Sequence, residues 1–211
     1  HTNTYLAVAA FGRAMLDGMT WAAGSGRTAR ELQADFSKPA GAEHPYLEKD
    51  RAYRSEEDVF EHFAAADRDR LFGRPPATVW ETFAGLDRHP DKLRALQADG
   101  VFSPEVVASY RAAMLLRWAT ELTDRVIPEN AGLVHACVRL QGENRLDASR
   151  WTTIQALKDE LARDDVNRTS IFTRIRAGVA AADFESVSRL QLEMADRVGQ
   201  LTTLYRLYRR N

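Results

Sequence analysis

The chain has 211 residues, 45% of them apolar and 28% charged, with 29 basic and 30 acidic side chains and a formal net charge of −1. This is the composition of an ordinary globular chain with enough residues to bury a sizeable core. The near balance of charge excludes a general nucleic-acid binder, which carries a basic excess, and gives no reason to expect a membrane surface.

Cys137 is the one cysteine, so neither an intramolecular disulfide nor a Cys-rich zinc site can form. A reducing, cytoplasmic compartment is the matching expectation. No apolar run approaches the roughly 20 residues of a membrane helix. The stretch "YLAVAAF" is short and lacks the basic flank of a signal peptide. Translation does not start at histidine, so the residue at position 1 leads us to expect that something precedes it in the gene product.

Helical periodicity dominates, with no convincing strand alternation. Asn3 suits the N-cap of a first helix, whose broad apolar face carries Tyr5, Leu6, Ala9, Phe11, Met15, Leu16 and Met19 and which ends at Gly24-Ser25-Gly26. A short helix over about 28–36 follows, and Pro39, Gly41 and Pro45 make 37–54 a loop. Ser55-Glu56-Glu57-Asp58 offers a capping signal for a segment with Val59, Phe60 and Phe63 on one face, closed by Leu71-Phe72. After the breaker "GRPP", Thr78 and Glu81 form a capping box for a helix carrying Val79, Trp80, Phe83 and Leu86.

Pro90 suits the first turn of the next helix, with Leu93 and Leu96, and Gly100 stops it. Ser103 caps a long helix from Pro104 to about Val126, with Glu105 near the positive end of its dipole, until Pro128 ends or kinks it. Val101 and Phe102 are thus clamped between Gly100 and Ser103-Pro104, and nothing local explains why. A helix over about 129–140 leads to the polar joint "QGENRLD". Three helices complete the chain at about 148–163, 168–182 and 184–209, with Asn167 and Asp183 as caps of the last two. The last carries Leu190, Met194, Val198, Leu201, Leu204 and Leu207 at three- and four-residue spacing. The expected fold is all-α, an irregular array of eight to ten helices.

Candidate chemistry is sparse. Asp58 and His62, at i and i+4, could share a metal, but no second pair completes the ligand set and a charged helix face is the favoured reading. His44, His89 and His135 are scattered, and His89 before Pro90 reads as a cap or surface residue. Asp164-Asp165 ends a helix, and Cys137 reads as a buried, inert thiol. Gly24-Ser25-Gly26-Arg27-Thr28 lacks the lysine of a phosphate loop and follows a helix, so a plain turn is favoured over an anion cradle. The tail "LYRLYRRN" mixes residues that stack on single-stranded nucleic acid, but Leu201, Tyr205 and Tyr208 packing on one side, with arginines complementing the helix dipole, is preferred. No nucleophile, base and orienter can be assembled, so no catalytic, cofactor-binding or metal-binding residue is assigned.

Two stretches carry a resemblance. "NTYLAVAAFGRAMLDGM", from Asn3 to Met19, is similar to a helix late in the catalytic domain of glutamine synthetases, with Thr4 at the family's usual proline and Met19 at its usual isoleucine. "TVWETFAGLDRHPDKLRALQADGVFSPEVVASYRAAMLLRW", with its Gly-Val-Phe and Tyr110, resembles the family's closing segment. The resemblance spans about 2–140 with an unmatched insertion at about 37–76, and 141–211 resembles the helical extension of longer, type III-like members.

The resemblance implies that this chain is the C-terminal helical portion of a larger α+β catalytic domain, structural or oligomer-forming and inactive alone. The parent would be an ATP-dependent carboxylate–amine ligase of nitrogen metabolism, using ATP and a divalent metal, Mg or Mn. The metal-binding glutamates and phosphate-contacting arginines of such enzymes lie upstream of the matching helix. The implied partners are that missing catalytic core or further subunits, with neither nucleic acid nor membrane. In such a protein the Val101-Phe102 clamp would pin a helix pair against the catalytic sheet. Two alternatives stand beside it: a self-standing helical binding or scaffolding protein, and a bundle holding a small molecule among Trp21, Trp80, Trp118 and Trp151.

Overall fold

A computed structural model describes residues 3–141 and 145–210. The described residues form eleven α-helical segments and no strand. They are α1 (Thr4–Gly24), α2 (Ala29–Asp35), α3 (Val59–His62), α4 (Ala65–Phe72), α5 (Val79–Arg88), α6 (Pro90–Gln97), α7 (Pro104–Glu121), α8 (Ile127–Ala136), α9 (Arg145–Ala162), α10 (Ile171–Ala180) and α11 (Phe184–Tyr208). A π-turn over Leu122–Val126 joins α7 to α8 without a break, so these segments make ten helices, within the expected all-α array.

The chain forms two compact units. The first comprises residues 1–76 and 86–104, the second 77–85 and 105–211, so the last three residues of α5 belong with the first unit and the rest of α5 with the second. This division follows a different line from the boundary at residue 140 that the resemblance implies.

In the first unit, local signals set the helix ends. The Asn3 carboxamide accepts from the amides of Tyr5 and Leu6, and Thr28 with Glu31 closes a capping box on α2. The Asp58 carboxylate accepts from Phe60 and Glu61, each such cap stabilising its helix by about 1 kcal/mol. The single segment expected over 59–72 is broken: Phe63 takes an extended conformation (φ −115°, ψ 134°). The break lets the Phe63 ring meet Phe72 edge-on at 5.5 Å, while Phe60 stays exposed beneath the Arg68 guanidinium.

After α6, a short 3₁₀ turn over Ala98–Gly100 makes the corner, and two consecutive residues take positive φ there, Asp99 (58°) and Gly100 (72°). Gly100 adopts this conformation without steric cost and aspartate is one of the few side chains that tolerates it. Helix α7 then begins at Pro104 as expected.

The second unit holds the core. Helix α11 packs on α9 and α10, and α9 packs on α8. Leu122, Ile127, Ile154, Leu161, Ile175, Val187, Met194, Leu201 and Tyr208 are fully buried there. Gly178 is what lets α10 approach α11, since a Cβ at that position would lie 2.8 Å from Val187 Cγ2. Pro128 neither ends nor sharply breaks the long helix. It sits in the first turn of α8, where its missing N–H is tolerated, and the widened turn before it pairs the Ile127 amide with the Leu122 carbonyl five residues back. Asp183 caps α11 as expected, but α10 is capped by Ser170, three residues beyond Asn167. Asn167 instead turns the loop, its amide bonded to Asp165 Oδ1 at 2.8 Å. Of the polar joint 141–147, residues 142–144 lie outside the described residues.

Candidate functional site

The candidate metal ligands are occupied by the chain itself. Asp58 is engaged by two helix amides, and His62 Nδ1 lies 3.2 Å from the Asp58 carbonyl oxygen. Asp164 accepts from the Ser170 amide at 2.7 Å and from the Thr173 hydroxyl at 2.8 Å, and these bonds hold its carboxyl below the usual carboxylate range. Among the described residues no three His, Cys, Asp or Glu side chains converge as a metal would need.

Other candidates resolve similarly. The Cys137 thiol is buried, and desolvation raises its pKa, as suits an unreactive thiol. Its carbonyl accepts from Lys158 Nζ. In the turn at 24–28, the Ser25 hydroxyl donates to the Ala22 carbonyl and accepts from the Arg27 amide. Thr28 then caps α2. His89 stands at the N-cap position of α6 without a side-chain capping bond. His135 is exposed.

His44 is the exception that sequence patterning missed. Its side chain is buried, and Nδ1 accepts from the amides of Tyr46 and Leu47 at 3.1 and 2.9 Å. That acceptor role places the ring proton on Nε2, which faces Asp35 Oδ2 at 3.3 Å. Asp35 also pairs with Arg27. The imidazole therefore clamps the 44–47 turn through Nδ1, while Nε2 faces the Asp35 carboxylate. No periodic pattern marks it, because the contacts come from a loop.

The four tryptophans fall into separate aromatic sets. Trp21 stacks on Tyr46 at 4.7 Å and leans on His44. Trp80 and Trp118 share Phe184, and Trp118 Nε1 donates to Gln191 at 2.8 Å. Trp151 packs on Tyr208. Trp118 is buried, whereas Trp21, Trp80 and Trp151 are half-buried.

The two faces of α1 differ more than any of these clusters. Leu6, Ala10, Arg13, Asp17 and Trp21, at i, i+4, i+7, i+11 and i+15, form its inner stripe. Arg13 pairs with Asp99, Asp17 accepts from the Tyr46 hydroxyl at 2.9 Å, and Trp21 stacks on Tyr46. The opposite stripe, Tyr5, Val8, Phe11, Met15, Leu16 and Met19, is exposed, Tyr5 by 89% and Phe11 by 72%. Val101, at the corner, is also exposed.

Burial is equally lopsided. Among the described residues, Leu47 is the only buried apolar residue of the first unit, while the other nineteen belong to the second. The first unit is held by polar ties. Lys92 and Arg51 meet Glu48, Lys38 Nζ reaches the carbonyls of Lys49 and Arg51, and the Ala52 amide bonds to the Leu71 carbonyl. Comparisons with protein-family models, curated proteins and solved structures find no match to the chain. No helix among the described residues is long and apolar enough to cross a membrane.

Proposed function

We propose that the first unit is a docking layer: the closing helical part of a glutamine-synthetase-like ligase, whose α1 covers the side of a catalytic sheet supplied by the same polypeptide. The observation that carries this reading is the bare stripe of α1, together with a unit that buries almost no apolar side chain of its own. Burying one large apolar side chain stabilises by about 1.5–3 kcal/mol, so covering six amounts to on the order of 10 kcal/mol before ordering costs. A contiguous face of this kind marks an interaction surface. The resemblance of α1 and of the 78–118 stretch to glutamine synthetases is what supports a ligase as the source of the covering surface. In that setting ATP and Mg or Mn act in the covering catalytic part, and this chain braces it.

The test is to extend the reading frame upstream of residue 1 and express the longer polypeptide. Acidic metal-ligand positions upstream, with ATP- and metal-dependent γ-glutamyl hydroxamate formation, support the reading. A start codon immediately before residue 1, or an upstream segment without those acids or that activity, overturns it.

A second reading draws on the other unit. Its filled core is what a self-standing helical binding or scaffolding domain has. Expression of the 211-residue chain as a stable monomer that does not bind an apolar dye would favour this reading, because no sticky face would then be left to cover.

A further inference from the structure

Near the C-terminal end of α11, a pocket of about 390 Å³ opens between that helix and α8. Leu133 and Ala136 form its apolar floor, Tyr205 stands at its wall, and Arg206, Arg209 and Arg210 line it. The Tyr205 ring is fixed in place, since its hydroxyl accepts from the Val138 amide at 3.2 Å and lies 3.4 Å from the carbonyl oxygens of Ala136 and Val138.

The charge here is not balanced locally. Several arginines elsewhere in this unit meet carboxylates: Arg125 meets Glu121 and Glu129, Arg174 meets Glu193, and Arg197 meets Glu160 and Asp196. The side chains of Arg206, Arg209 and Arg210 have no such partner among the described residues. The sequence explains why, since 197–210 and 130–141 contain no Asp or Glu. A helix C-terminus carries only about half a negative charge, too little to account for three guanidinium groups around one pocket.

We propose that this pocket binds a small phosphorylated molecule with a flat apolar body, of the nucleotide type. A phosphate monoester brings about −1.5 to −2 charges and three acceptor oxygens, which suits several guanidinium forks, whereas a lone carboxylate satisfies one. The Tyr205 ring and the Leu133–Ala136 floor offer the apolar surface for the rest of the ligand. This proposal is independent of the docking reading, because it uses only residues of the second unit.

The experiment is calorimetric titration of the 211-residue chain with ADP and with inorganic pyrophosphate, at low and moderate salt. Both probes should bind, ADP more tightly. Arg206→Ala, Arg209→Ala and Arg210→Ala should each weaken both probes about five- to tenfold, and the triple variant by more than about a hundredfold. Tyr205→Leu should weaken ADP and leave pyrophosphate unchanged. Arg176→Ala, an exposed arginine of α10 that does not line the pocket, is the control and should change nothing. Circular dichroism confirms that each variant is folded. The proposal is overturned if neither probe binds, if Arg176→Ala weakens binding as much as the pocket variants, or if a single-stranded oligonucleotide binds through these arginines with affinity that grows with its length.

Discussion

Arg13 on α1 donates to Asp99 Oδ2 at 2.7 Å across 86 positions of sequence, and to the Ala95 carbonyl at 3.3 Å. The arginine is largely buried, whereas the aspartate is exposed and holds the positive φ of the corner. One ion pair thus ties the opening helix to the turn that precedes Val101 and Phe102. The clamp seen in the sequence is closed by a charge on α1 and not by burial of Val101, which stays in solvent.

Removing this tie should loosen the first unit and leave the second unchanged. Asp99→Asn keeps a residue that tolerates positive φ while deleting the charge, so its effect isolates the ion pair. Arg13→Ala also removes the buried stem and should cost more, about 1–3 kcal/mol. Amide exchange of α1 and α6 is the measurement. Protection lost in α10 and α11 as well would show that the tie has a wider structural role.

The two units should differ in opening free energy. The first is held by exposed ion pairs, each contributing about 0–1 kcal/mol, and the second by a filled apolar core. In the isolated chain, amides of α2, α4 and α6 should exchange well before those of α9, α10 and α11. Equal protection across the chain would contradict this assignment of where stability resides.

Much of this fold was legible locally. Asn3, Thr78 and Asp183 cap the helices their positions suggested, because a cap is decided within three residues, whereas Thr28, expected inside α2, is its cap, and within the 55–58 capping signal the cap is Asp58. Ser170 took the place of Asn167 because Asp164 pins the Ser170 amide, a bond across six positions that a capping motif does not encode. The break at Phe63 and the π-turn before Pro128 depend on tertiary packing, since Leu122 and Ile127 are both buried on either side of that turn. The periodicity of α1 showed an apolar face but not that it would be bare, because periodicity reports a stripe and not its partner. The cluster at Arg206, Arg209 and Arg210 was visible as a basic tail. Its pocket was not, because the floor comes from α8, about 70 residues earlier.

The end of α10 offers a gain in stability. Ala182 has φ of 53°, and its neighbour Asp183 donates back to the Gly178 carbonyl at 2.9 Å, in the manner of a Schellman turn. Ala182→Gly should relieve the left-handed strain and stabilise the second unit by up to about 1 kcal/mol, partly offset by the greater freedom of glycine when unfolded. Gly178→Ala should act in the opposite direction, by about 1–3 kcal/mol, because its Cβ meets Val187. Thermal melts of the two variants compare them directly, and a neutral Gly178→Ala would mean that α11 shifts to admit the methyl group.

Acid should weaken the turn between α9 and α10. Bonds from the Ser170 amide and the Thr173 hydroxyl lower the Asp164 pKa, and a group depressed in the folded state adds stability that is present above its unfolded pKa, about 3.9. That stability disappears as pH falls from about 4 through the lower folded value. Asp164→Asn removes the titration, so the difference in melting temperature between wild type and variant should be largest at pH 7 and shrink toward pH 3. A constant difference over that range would show that the two hydrogen bonds do not depend on the carboxylate charge.

The bare stripe of α1 makes the last prediction. In the isolated chain Phe11 and Met15 face solvent, so Phe11→Glu with Met15→Glu should leave the melting of the second unit unchanged and lower both dye binding and self-association. In the longer polypeptide the same pair would place two carboxylates against an apolar surface, at a cost of several kcal/mol. The activity and assembly of that longer protein should then collapse, while its second unit keeps its amide protection. If the double variant retains full activity in the longer polypeptide, the stripe is not covered there, and the docking role assigned to α1 is wrong.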